Sequence, residues 1–175
     1  MLKFWKIFKL FFLALVFFVF QISFINGLDN FFASFNIVLF FLIYVFIIYD
    51  FRFCLLIGFF VGFLFDIFSF YPFGIYSLVI LVTIFIVNFL LLNLFTNRSI
   101  YSFAAIGFFF SFFYYLFLYL ILYLFADKIE GIAWFNGFLF LNFLKELIFI
   151  LLAIIFSFYF LGLENEKNKK FILLK

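Results

Sequence analysis

The chain has 175 residues, of which 72% are apolar, 11% are charged and 43 are Phe, with a formal net charge of +3 and no histidine. A soluble domain of this length keeps roughly a third of its unfolded surface in water, so this much apolar side chain has no place in a water-soluble fold and lipid is the expected solvent. One cysteine, Cys54, and no histidine exclude an internal disulfide and a His/Cys metal cluster, and with them redox and zinc chemistry; no cofactor is expected.

Six apolar runs follow one another. The first, Ile7 to Ile25, is interrupted by Lys9, Gln21 and Ser23 and follows Lys3 and Lys6. It starts like a secretion signal, but Asn26, Gly27, Leu28, Asp29 and Asn30 after it offer no small-residue cleavage pair, which predicts a retained helix. The second, Phe31 to Tyr49, lies between Asn30 and Asp50, and the third runs from Phe53 to Phe70 with Asp66 inside it. Tyr71, Pro72, Phe73 and Gly74 read as a tight turn, because Pro fixes its own φ and Gly admits positive values. The fourth run is Phe73 to Phe95, with Thr83, Asn88 and Asn93 as its polar members, followed by a turn at Thr96, Asn97, Arg98 and Ser99.

The fifth run, Ile100 to Phe125, would measure roughly 39 Å as a helix, so it must tilt or protrude. Asp127, Lys128, Glu130 and Gly131 bound it. The last apolar region, Trp134 to Leu163, carries Asn136, Asn142, Lys145 and Glu146; Leu147 to Leu163 is its secure span, while Ile132 to Phe143 fits either an extension of that span or an interfacial helix. The expected architecture is a single all-α domain over 1–175 with six transmembrane helices and short ends.

Charge placement orients it. With six crossings and a cytoplasmic amino end, Lys3, Lys6, Lys9, Arg52, Arg98, Lys167, Lys169, Lys170 and Lys175 fall on one side, which is nine of the eleven basic residues. That bias predicts a multi-pass protein of the cytoplasmic membrane with both termini inside. The tail after Leu163 is expected to solvate the inner face and touch lipid headgroups.

Among the polar residues Asp66 stands out, since an ionised carboxylate in hydrocarbon needs protein, water or a counter-charge around it. Gly58, Gly62 and Asp66 are spaced four apart and share one helical stripe, where glycines let a second backbone approach closely. This predicts a packing seam, with partner binding or coupling and proton or ion transport as the sharper readings, and a counter-charge in Lys145, for which Glu146 competes. Gly107 and Ser111 form a second small-residue pair. Asn88 and Asn93 suit bonds across helices, and Tyr114 and Tyr115 suit a lumen or groove. Asn97, Arg98 and Ser99 match a glycosylation acceptor only formally, being assigned to the inner side. With no histidine base, no phosphate-cradling loop and no carboxylate pair on one helical face, no catalytic residue is assigned and the chain is not expected to be an enzyme.

The stretch Gly58, Phe59, Phe60, Val61, Gly62, Phe63, Leu64, Phe65, Asp66, Ile67, Phe68, Ser69, Phe70, Tyr71, Pro72, Phe73, Gly74 resembles the rod shape-determining protein MreD family, in which a glycine-spaced helix leads to an aspartate and then to a turn of Pro, a hydrophobic residue and Gly. The resemblance implies a non-catalytic scaffold of the bacterial cell-elongation machinery in the inner membrane. Its partners would be an MreC-like membrane protein and, indirectly, the RodA-like and penicillin-binding-protein pair that makes lateral wall peptidoglycan, with no nucleic acid involved and a homo-oligomer left open. It also implies motif roles for Gly58, Gly62, Asp66, Pro72, Phe73 and Gly74. The family's likeness to the vitamin-binding components of energy-coupling-factor transporters implies that six-helix fold and an alternative function as such a component. Few buried polar groups and no small-residue stripe around Ala14 in the first helix count against the alternative.

Overall fold

A computed structural model describes residues 2–28, 35–69, 71–94, 100–124 and 143–152. These form α1 (Leu2–Ser23), α2 (Ile37–Ile48), α3 (Phe51–Phe68), α4 (Ile75–Leu94) and α5 (Ile100–Leu124), with a short 3-10 turn at Ile25–Gly27 and a further helical segment at 143–152. There is no strand among the described residues. Four stretches are long and apolar enough to cross a membrane: Phe8–Gly27, Phe51–Phe68, Ile75–Leu92 and Phe103–Leu124. The chain therefore has the make-up of an all-α membrane protein.

Four helices lie within a few residues of the expected runs. The second does not: it was expected from Phe31, and it begins at Ile37 and has only 12 residues. Asn36 sets that boundary, since its backbone is extended and its side chain accepts from the Leu39 amide at 3.0 Å, an N-cap that a purely hydropathic reading passes over. A helix of this length rises about 18 Å, too little to span the hydrocarbon unaided. Its packing explains how it is stable, because Val38, Leu39, Phe41, Leu42, Ile43, Val45 and Phe46 are all buried and the helix is enclosed by α1, α3 and α5. A helix apolar on every side is stable where protein surrounds it.

Gln21 joins this central helix to α1. Its amide nitrogen donates to Asn26 Oδ1 and to the Phe35 carbonyl, each at 3.1 Å, and its oxygen accepts from the Ile37 amide at 2.9 Å. One buried side chain thus closes the connection and satisfies a donor of the first turn of α2.

Outward faces are apolar. On α3, Leu56, Phe59, Phe63 and Ile67 are exposed at helical spacing, while Cys54, Ile57, Gly58, Val61, Gly62 and Asp66 are buried on the opposite side. The exposed side has the chemistry of a lipid-facing surface, and the buried side collects the polar atoms. Thr83 and Ser111, both fully buried, bond back along their own helices to the carbonyls of Val79 (2.7 Å) and Gly107 (2.9 Å). Ser111 thus satisfies its hydroxyl within α5, and Gly107 is buried beside it. The connections around 95–99 and 125–142, which include Arg98, Lys128 and all of the ambiguous Ile132 to Phe143 stretch except Phe143 itself, lie outside the described residues, as does everything after 152.

Candidate functional site

The stripe of Gly58, Gly62 and Asp66 faces α4, its most extensive neighbour. A Cβ on Gly58 would run into the Ile84 side-chain tip and lie 3.2 Å from Ile80 Cγ2. On Gly62 it would stand 2.5 Å from Ser77 Cα and 3.0 Å from Ser77 N. The two positions differ in kind: an isoleucine tip can rotate away, whereas a helix backbone cannot. Gly62 is where α3 and α4 touch main chain to main chain, the close approach that glycine makes possible between membrane helices.

One turn further along the stripe, Asp66 meets the start of α4. The residue before that helix is Gly74, whose φ of 100° lies in the left-handed region and whose carbonyl already accepts from the Leu78 amide at 3.0 Å. Gly74 is therefore the N-cap position, and it has no side chain with which to cap. Asp66 supplies the missing acceptor from the neighbouring helix. Its Oδ1 accepts from the Tyr76 amide at 2.8 Å, and its Oδ2 accepts from the Ser77 amide at 3.1 Å and from the Ser77 hydroxyl. Hydrogen bonds to a charged acceptor contribute about 1.5–3 kcal/mol each, and the positive end of the helix dipole adds to them.

Aromatic contacts clasp the same turn. Phe65 stacks on Tyr76 at 5.5 Å, Tyr71 packs on Tyr76 at 6.1 Å, and Phe63 meets Phe73 edge-on at 5.6 Å. Ser69 ends α3 with its amide on the Phe65 carbonyl and its hydroxyl on the Asp66 carbonyl. Pro72 and Phe73 remain exposed at the tip of the turn.

These contacts alter the reading of Asp66. A counter-charge was expected because a buried carboxylate needs one, and Lys145 was the candidate. Three donors of α4 meet that need. Lys145 is half-buried on the segment 143–152 and has an interaction of its own. The glycine stripe is likewise taken up inside the chain, by α4, so it is not an open groove for another protein.

A second acid is buried on the segment 143–152. The segment 143–152 packs on α5 through Phe143, whose ring meets Tyr115 at 5.5 Å and Phe112 at 6.5 Å, and Phe149 meets Phe35 at 5.3 Å. On the same segment Glu146 is 0% exposed, and among the described residues neither of its carboxyl oxygens has a hydrogen-bond partner. Tyr114, itself buried, stands within electrostatic reach of Tyr76, Glu146 and Asp66 together. Tyr115 packs edge-on against Tyr114 at 5.4 Å.

The other expected positions fall elsewhere. Asn88 is half-buried on α4, the Asn93 side chain is outside what is described, and Asn97, Arg98 and Ser99 lie among the undescribed residues. Sequence reasoning passed over Gln21 and Ser77 and gave Glu146 only a competitor's part. Ser77 had a usable signal, since Ser three residues after a helix-opening Gly is placed to share an acceptor with its own amide. Among the described residues no three His, Cys, Asp or Glu gather where they could hold a metal.

Comparison with family models, with curated proteins and with solved structures gives no match to this chain.

Proposed function

We propose that this chain is a non-catalytic scaffold of the bacterial cell-elongation machinery, resembling MreD. It lies in the cytoplasmic membrane with both ends inside and supports lateral wall synthesis through helix contacts with an MreC-like protein and, through that partner, with a RodA-like and penicillin-binding-protein pair. The observation that supports this reading most is that Gly58 to Gly74, the stretch bearing the resemblance, forms one architectural unit: a close-packed stripe, a carboxylate cap and a glycine turn. The side chains of this unit that point inward join α3 to α4. Those left outside, Phe73 foremost at 66% exposure, form the tip available to a partner.

Affinity purification of the tagged full-length chain from its own membranes tests the proposal. Recovery of an MreC-like single-span protein, reduced by Phe73→Ala without loss of folded chain, is the expected outcome. Recovery of an ATPase pair or a bound vitamin instead would replace the scaffold with a transporter component.

A further inference from the structure

We propose that Glu146 is an intramembrane protonation site, a carboxylic acid that carries one proton while the segment 143–152 is seated on α5. The inference does not depend on the scaffold function. It starts from geometry: Glu146 is fully enclosed, and among the described residues neither of its oxygens has a hydrogen-bond partner. A bare carboxylate in such a place is among the most expensive arrangements a membrane protein can adopt, and it persists only when something neutralises it.

The surroundings select the neutralising species. A metal ion needs several oxygen ligands, and no group of three suitable side chains gathers among the described residues. Lys145 is adjacent in sequence, and neighbours one apart on a helix do not face each other. Across from the segment, α5 presents Tyr114, which also lies within reach of Tyr76 on α4 and Asp66 on α3. Asp66 already occupies the donors at the start of α4, which are therefore not open to a second carboxyl. A proton is the smallest species that can neutralise an enclosed carboxyl. The step is a proton transfer, carboxylate plus hydronium giving carboxylic acid plus water: one O–H bond forms on the carboxyl as one O–H bond of hydronium breaks.

Seating and protonation are then linked. Glu146 shares its buried face with Ile150, and Phe143 one turn earlier packs on α5. Ionising the carboxyl favours any arrangement that brings it to water, which lifts this segment away from α5. Proton binding therefore holds the segment down, and its loss at alkaline pH loosens it.

The test is infrared spectroscopy of the full-length chain in lipid bilayers, with glutamate 13C-labelled at its carboxyl. The expected result is a protonated-acid carbonyl band at neutral pH that disappears in Glu146→Gln and persists in Asp66→Asn. Should Glu146→Gln fail to fold, replacing Glu130, Glu164 and Glu166 together by Gln leaves Glu146 as the sole labelled group without altering it. A carboxylate band alone at neutral pH overturns the proposal. Conversion of the acid band to a carboxylate band on adding sodium at fixed pH overturns it as well, in favour of a metal cation.

Discussion

Among the described residues two carboxylates are buried, and they live in opposite circumstances. Asp66 is 4% exposed and accepts three hydrogen bonds from the first turn of α4, whereas Glu146 is 0% exposed and accepts none. Equal burial therefore says little about what an acid does to a membrane fold; what matters is whether unpaired donors face it. A helix start supplies such donors unavoidably, because its first amides have no partner within the helix. Asp66 and α4 solve each other's problem, and among the described residues no comparable donor bonds to Glu146.

The largest effect should come from the seam that delivers Asp66 to its donors. Gly62→Val places a branched side chain against the Ser77 main chain, and with no rotamer available as relief it should lower stability by about 3 kcal/mol or prevent accumulation of folded chain. Thermal unfolding in detergent measures it. The comparison itself is broken or sharpened by replacing each acid with leucine. Asp66→Leu strands the Tyr76 and Ser77 amides and should cost roughly 2–3 kcal/mol, while Glu146→Leu removes an unsatisfied group and should be neutral or stabilising. Equal losses in the two variants would show that the contrast between the acids has no energetic meaning.

A charge exchange sharpens the account of Asp66 further. Asp66→Lys combined with Lys145→Asp preserves the charges of an ion pair but puts a side chain without any acceptor beside two helix amides. The double variant should be no more stable than Asp66→Lys alone. Recovery to wild-type folding would mean that pairing, not capping, is what Asp66 provides. Smaller effects belong to the two remaining glycines. Gly74→Ala should cost about 1 kcal/mol for its left-handed φ, and Gly58→Ala less than about 1 kcal/mol, because the Ile84 tip can turn aside. A Gly58→Ala loss as large as that of Gly62→Val would mean the seam is uniformly rigid.

Much of this was legible in the chain. Apolar runs bounded by Asp50, by the Pro72 turn and by the Thr96 to Ser99 group locate α3, α4 and α5 closely, since hydropathy and turn chemistry act through local residues. The four-residue spacing of Gly58, Gly62 and Asp66 also identified a seam correctly as a stripe on one helix. The stripe's partner was not legible, because spacing on one helix gives a face and not its neighbour. Hydropathy likewise overran the start of α2, where the extended backbone at Asn36, bonded to the Leu39 amide, interrupts an apolar run without breaking its composition. Gln21 looked like a mere interruption of α1, yet its three hydrogen bonds reach residues five to sixteen positions away.

The sequence by itself determined the solvent, the helical class and the positions of most helices, because an apolar run in lipid must satisfy its own backbone and helix formation does this locally. Tertiary structure alone decided which face meets which. It turned Asp66 from an acid in need of a counter-charge into the cap of a neighbouring helix, and it left Glu146, a residue of the same chemistry, enclosed with no hydrogen-bond partner among the described residues. The physical reason is that desolvation depends on every neighbour, while the chain order of residues fixes only the nearest few.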